Sequence, residues 1–409
     1  MTHTRYWPLQ LMLGWLNLVL TAPIIYLYLG LPMIMRQHGW SGIEIGLFQL
    51  AGLPAVFKFL LATPVDRYHF GRCTYRSWSA LLMALYASVL ILLALYDIQH
   101  TPWSLLFSLA LAASLIGTWA DIPVNALAIT YLPESERIRA GAIRSAATSL
   151  GAIVGGGIML LMQTHLGWAW PFVALALLLV SGVVLLACLR QYVPVCQTAV
   201  TAQRAGLKEW LNFFATPDFR RWSWLILLYF PFIGAAWVYV KPLMLDQGFD
   251  ASRIAAIVGI GGGLVGALGS LAGSRLTRHF GSGLALPAFA LLSVGAISGL
   301  LLVTALEMPF IVFAAAALLT ALAMGMASGL IFGLMMYHTR PGLAAVDYGI
   351  QSSLFAVVRT LVPMAAGIML GHFGSLGMLF GLLAGVILAF ILASGLRHSI
   401  TAFIQTQRL

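Results

Sequence analysis

Charge is scarce in this chain: Asp, Glu, Lys and Arg together supply 8% of its 409 residues. That is too little to solvate the surface of a water-soluble globular domain. Cysteine is scarcer, at three. Cys73, Cys188 and Cys196 all fall in segments whose charge places them in the cytoplasm, where thiols stay reduced, so no disulfide framework is expected. Catalytic signatures are missing as well. There is no H-E-x-x-H, no G-x-S-x-G, no P-loop and no clustered Cys/His set, so neither an enzyme nor a cofactor or metal is expected. One G-x-G-x-x-G pattern, Gly261 to Gly266, has no strand before it and no acidic residue about 20 positions on. Small residues four apart, Gly262 with Gly266 and Gly151 with Gly155, read instead as close helix packing.

What fills the chain is apolar. Hydrophobic residues make up 61%, and the mean hydropathy is +0.95. Runs long enough to cross about 30 Å of hydrocarbon as helices fall at 9–35, 43–64, 77–96, 103–130, 143–164, 168–189, 221–245, 252–273, 284–305, 309–337, 348–371 and 375–396. The expected fold is therefore all-α, with twelve transmembrane helices. The shortest connections lie near Glu307 and Gly371. The first run is too long for a signal-peptide core and lacks a small-residue cleavage pattern, so it reads as a retained helix.

Basic residues orient the spans. Seventeen of the 22 Lys and Arg lie at the termini or in even-numbered loops; only Arg36 and Arg253 lie in odd-numbered ones. Arg137, Arg139 and Arg144 are assigned to the loop after the fourth span. Both termini are then cytoplasmic, and this sidedness explains the net charge of +10 without nucleic-acid binding. The longest polar stretch divides the chain into an N-terminal six-helix bundle (1–189), a cytoplasmic linker (190–220) and a C-terminal six-helix bundle (221–409). Within the linker, Lys208 to Phe214 read as a short interfacial amphipathic helix.

The halves echo one another. Gln37-His38-Gly39-Trp40-Ser41-Gly42 is answered by Gln247-Gly248-Phe249-Asp250-Ala251, His69-Phe70-Gly71 by His279-Phe280-Gly281, and Pro32 by Pro242, at offsets of 209 to 210. Two like-oriented halves are an architecture of secondary transporters. The echo fails at charge: Asp66-Arg67 answers to Leu276-Thr277, and Asp121 falls opposite Ile331.

Ionisable side chains inside spans cost roughly 2.5–3.5 kcal/mol each at a helix centre and mark function. Four are expected: Lys58, Asp121, Lys241 and Arg359. Arg359 lies near the midplane of its span and reads as a cavity-facing charge. Lys58 and Lys241 lie nearer span ends, where snorkelling to the interface is the alternative. Asp121, beside Pro123 and Asn125, can load a proton, contact a cationic ligand group or pair with a Lys or Arg. Three cations against one anion suit an anionic small-molecule ligand. Tyr26, Tyr28, Trp119, Tyr229, Trp237 and Tyr239 lie at cavity-compatible depths, where packing or an interfacial belt is the alternative reading.

The loop Pro64-Val65-Asp66-Arg67-Tyr68-His69-Phe70-Gly71-Arg72 resembles the signature loop of the major facilitator superfamily, with Pro64 where a small residue is more usual. That resemblance implies a cytoplasmic gate formed by Asp66, Arg67, Arg72 and Asp347, with Asp66 against the N-terminus of the eleventh span near Tyr348. Gly52-Leu53-Pro54, Lys58-Phe59-Leu60, Asp121-Ile122, Leu132-Pro133-Glu134 and Asp347-Tyr348-Gly349-Ile350-Gln351 with Arg359 resemble the AmpG-type and acetyl-CoA-transporter branch. Asn125, where that branch usually carries a second acid, and Lys241 depart from its muropeptide-permease pattern. The chain is most similar to the RhtX/FptX-type siderophore importers.

The resemblance implies a monomeric, proton-motive-force-driven importer in a bacterial inner membrane. It would carry a ferric siderophore, such as a pyochelin-like compound, by alternating access. Arg359 and Lys241 would hold ligand anions, with Gln351, Lys58 and the aromatics lining the site, and Asp121 would couple protons. A permease for muropeptides or another anionic metabolite is the alternative. A non-transporting membrane sensor is the alternative of another class.

Overall fold

The computed structural model describes residues 6–68, 73–96, 98, 100–188 and 206–407. Among them the regular structure is helical, with no strand. Eleven stretches are long and apolar enough to cross a membrane. The last, Ala344–Gln405, is two helices merged across Gly374, whose φ of 68° and ψ of −175° leave the helical region. Gly374 thus supplies the break expected near Gly371, in a backbone region that only glycine enters without strain. The spans are α1 (Trp7–Tyr28), α2 (Ile43–Arg67), α3 (Thr74–Leu95), α4 (Trp103–Tyr131), α5 (Glu134–Leu166), α6 (Ala169–Cys188), α7 (Pro217–Asp246), α8 (Ala255–Phe280), α9 (Ser282–Ala305) and α10 (Phe310–Tyr337). The merged pair are α11 (344–373) and α12 (375–405). The amphipathic linker segment forms a helix at Leu207–Ala215.

Local chemistry explains several interruptions. α2 opens with a reciprocal cap, Ser41 accepting from the Glu44 amide while Glu44 accepts from the Ser41 amide, which satisfies two otherwise orphaned donors. Pro54 lies in a 3₁₀ segment, Gln49–Ala55, that interrupts α2. π turns occupy Tyr26–Gly30 at the end of α1, Val154–Ile158 in α5 and Ala255–Gly261 in α8. Such departures from α geometry at membrane depth free backbone groups and concentrate at functional sites.

The chain forms two compact units. The first comprises the chain up to Pro133, Leu150–Trp210 and Thr339–Ser353. Tyr26 is fully buried there, with its ring edge-on to Phe172 at 5.3 Å. The second comprises Glu134–Ser149, Leu211–His338 and the residues from Leu354 onward. In it the first half of α5 packs on α8 and α10 through small residues. A side chain at Gly141 would run into the backbone of Gly333, and one at Gly333 would come within 2.9 Å of the Ile138 Cα. The hydroxyls of Ser145, Ser270 and Ser328 meet in the same layer, Ser145 lying 2.7 Å from Ser270. Bare backbone at this crossing lets membrane helices approach closely.

Two expectations are corrected here. α5 begins at Glu134, so Arg137, Arg139 and Arg144 lie on the helix and not in a loop. Pro133 followed by Glu134 and Glu136 is a helix-start signature that the hydropathy window passes over. Cys73 is disulfide-bonded, whereas Cys188 is free and exposed. Cys196 lies outside the described residues.

Candidate functional site

Within the first unit α2 and α4 bring two of the intramembrane charges together. Lys58 Nζ lies 2.7 Å from Asp121 Oδ2, with both side chains 14% exposed. Lys58 therefore does not snorkel; its ammonium neutralises the carboxylate at membrane depth. Asn125, one turn on, donates through Nδ2 to the other Asp121 oxygen at 3.0 Å and to the Asp121 carbonyl. The Asn125 Oδ1 is buried without a hydrogen-bond partner among the described residues. Pro123 lacks the N–H that would otherwise bond the Trp119 carbonyl, and the Trp119 indole N–H is also buried without a partner among the described residues. The Trp119 ring lies 5.7 Å from that of Trp78. Protonating Asp121 would release the Lys58 ammonium, so the pair can switch between a closed and an open cation.

A second polar group gathers where α2 ends and α11 begins, again within the first unit. Asp66 accepts from the amides of Val346 at 2.8 Å and Ala345 at 3.4 Å, and from the Tyr75 hydroxyl at 2.7 Å. A carboxylate at a helix N-terminus answers both its free amides and its dipole. Arg340 then grips Asp347 through Nε and Nη2 and the linker residue Glu209 through Nη1 at 3.0 Å. Burial opposes the Arg340 charge, yet Asp347 and Glu209 outweigh it and hold the guanidinium above its ordinary value. Gln351 is buried and donates to the Asp347 carbonyl. Trp210 donates to Thr63 and packs edge-on to Phe59, docking the start of the linker helix. Arg67 is exposed over the Tyr68 ring. Arg72 lies outside the described residues.

The second unit holds the other two charges. Arg359 on α11 and Lys241 on α7 are exposed, and among the described residues neither has a hydrogen-bond or ion-pair partner. Tyr239 donates to the Pro363 carbonyl at 2.9 Å, one turn from Arg359. Trp237 packs over Gly262, and Lys241 Nζ lies beside Gly259. Tyr229 is buried and donates to the Leu286 carbonyl. Sequence reasoning missed Arg340 and Glu209, and placed Arg144 outside the membrane. Arg144 lies on α5 with its guanidinium 5.0 Å from the Phe332 ring centroid. Near the α10 terminus His338 is sandwiched between Trp222 at 4.2 Å and Phe403 at 4.6 Å, and burial lowers its pKa to about 4.

Twelve apolar helices with paired and open charges at membrane depth define a polytopic secondary transporter. The model of the Major Facilitator Superfamily matches residues 12–363. The chain belongs to that family. It is 28% identical over 378 residues to anhydromuropeptide permease of Escherichia coli strain K12, covering 87% of this chain and 75% of the relative. The fold is shared with human organic anion transporter MFSD10 (TM-score 0.76, 18% identity, 96% of this chain and 100% of that one). It is shared also with the transporter FucP in its outward conformation (0.73, 17%, 97% and 99%). A bacterial homologue of the iron transporter ferroportin, outward-facing, aligns at 0.72 with 16% identity, over 94% of this chain and 98% of that one.

Proposed function

We propose that this chain is a proton-coupled inner-membrane importer of an anionic, anhydromuropeptide-like metabolite. The observation that carries the reading is the similarity to anhydromuropeptide permease along 87% of the chain. It favours the permease alternative over the siderophore importer expected from Asn125 and Lys241. The disposition of charge supports an anionic ligand. Lys58 is neutralised by Asp121, while Arg359 and Lys241 stand open to carboxylates, Arg359 as the deeper contact and Lys241 nearer the periplasmic end. Asp121 serves as the coupling carboxylate, since its protonation would uncover the Lys58 cation. Asp66, with Arg340 and Asp347, latches the cytoplasmic end of α2 to α11.

Proteoliposomes loaded with the purified protein test this directly. An inward proton gradient should drive accumulation of a labelled anhydromuropeptide, and Arg359→Ala should abolish it. A ferric siderophore accumulating in its place would restore the siderophore reading. Normal uptake by Arg359→Ala would remove the role given to that residue.

A further inference from the structure

Tyr86 on α3 is fully buried, and its hydroxyl has no hydrogen-bond partner among the described residues. The Tyr28 hydroxyl, in the π turn that ends α1, is also buried, with the Ser114 hydroxyl as its hydrogen-bonding neighbour. The two residues interact electrostatically, and Ser114 of α4 is a polar neighbour of Tyr28. Two glycines let the backbones of α4 and α2 lie against these rings, a Cβ at Gly117 falling 2.7 Å from the Tyr86 ring. A Cβ at Gly117 would lie 3.1 Å from the Tyr86 hydroxyl, and one at Gly52, in the 3₁₀ segment of α2, 3.6 Å from that of Tyr28. A buried hydroxyl left bare is costly, and in native proteins ordered water commonly completes it.

Position along α4 shows where such water would lead. Ser114, Thr118, Asp121 and Asn125 follow the i, i+4, i+7, i+11 spacing of one helix face. Ser114, Thr118 and Asn125 are all buried. Seven residues at 1.5 Å each put Ser114 about 10 Å from Asp121. The charge sidedness makes Trp103 the periplasmic end of α4, so Ser114 lies on the periplasmic side of the carboxylate. Lys58 and Asn125 are among the groups that face Asp121.

We propose that Tyr28, Tyr86 and Ser114 frame a water-holding proton inlet that feeds Asp121 from the periplasmic side. The inference rests on the reading of Asp121 as the coupling carboxylate. Each hydroxyl takes a proton from the water before it and passes its own to the water after it. One proton thus leaves the periplasm and one arrives on the Asp121 oxygen, freeing the Lys58 ammonium, with no other bond changed.

Tyr86→Phe, Tyr28→Phe and Ser114→Ala each remove only a hydroxyl, and two assays on proteoliposomes separate their effects. Gradient-driven anhydromuropeptide uptake, with pyranine reporting internal acidification, needs the inlet; equal-concentration counterflow needs no net proton movement. The expected result is at least a fivefold loss of uptake and acidification in Tyr86→Phe and Tyr28→Phe, with the counterflow of Tyr86→Phe within twofold of wild type. Wild-type acidification in both variants would overturn the inlet and leave the coupling reading intact. Parallel loss of counterflow in Tyr86→Phe would also overturn it, assigning the hydroxyl to folding or ligand contact. Wild-type uptake without acidification would remove the coupling reading itself, and the inlet with it.

Discussion

The four charges expected inside spans are treated in opposite ways by the two compact units. In the first, Lys58 and Asp121 close to 2.7 Å with Asn125 as a second donor. In the second, Arg359 and Lys241 are exposed and have no ion-pair partner among the described residues. The position 210 residues beyond Asp121 is Ile331, fully buried, so the repeated scaffold carries a charge in one copy and packing in the other. A closed pair is costly to break on one side and can be opened by a proton. An open cation adds little to folding and remains available to an anion. The contrast separates residues whose loss should unfold the protein from those whose loss should only silence it.

The largest effect should come from breaking the closed pair on one side. Asp121→Ala leaves Lys58 unpaired at membrane depth, and thermal unfolding in detergent should report a loss of about 3 kcal/mol. Lys58→Met combined with Asp121→Leu should recover most of it without restoring transport. An equal loss in the double variant would mean that the unpaired Lys58 is not the source of the destabilisation.

His338 sharpens the contrast, because the second unit holds its buried titratable ring uncharged. Its folded pKa of about 4 lies below the ordinary 6.5. Between those values the unfolded chain binds a proton that the folded one refuses, so stability falls as pH drops below 6.5. The full shift corresponds to about 3 kcal/mol. His338→Phe should flatten this slope in a pH series of unfolding midpoints; an unchanged slope would locate the titration elsewhere.

Smaller effects follow where charge meets helix ends. Asp66→Asn keeps an acceptor for the Val346 amide but loses the carboxylate at the α11 N-terminus, with an expected cost of about 1 kcal/mol in the same unfolding assay. Faster labelling of a cysteine placed at Ala345 should accompany it; unchanged labelling would show that the carboxylate does not hold this end. Arg359→Met should move stability by less than about 0.5 kcal/mol while abolishing gradient-driven uptake. A large loss of stability there would erase the distinction between closed and open charge.

Much of the fold was legible along the chain, because hydropathy needs no partner to be read. Twelve spans, the amphipathic linker segment and the break near Gly371 all came from local composition, and the break fell at Gly374. The start of α5 was misplaced because Arg137, Arg139 and Arg144 lower hydropathy while remaining good helix formers. Lys58 and Asp121 were both legible as intramembrane charges, but not their pairing. Arg340 and Glu209 were illegible as a site: each is an ordinary charge in a polar connection until Asp347 joins them.

The sequence by itself determined that the chain lives in a bilayer and crosses it as helices. These are sums over neighbouring residues, and burial of apolar side chains in lipid is additive along a helix. Only the tertiary structure decided which charges are neutralised, that Lys58 meets Asp121 and Arg340 joins Asp347 to Glu209 while Arg359 and Lys241 stay open. Pairing depends on the rotation and depth at which helices distant in sequence pack. A few ångströms decide it, since the Coulomb energy between two charges in a poorly screened interior changes steeply over that range.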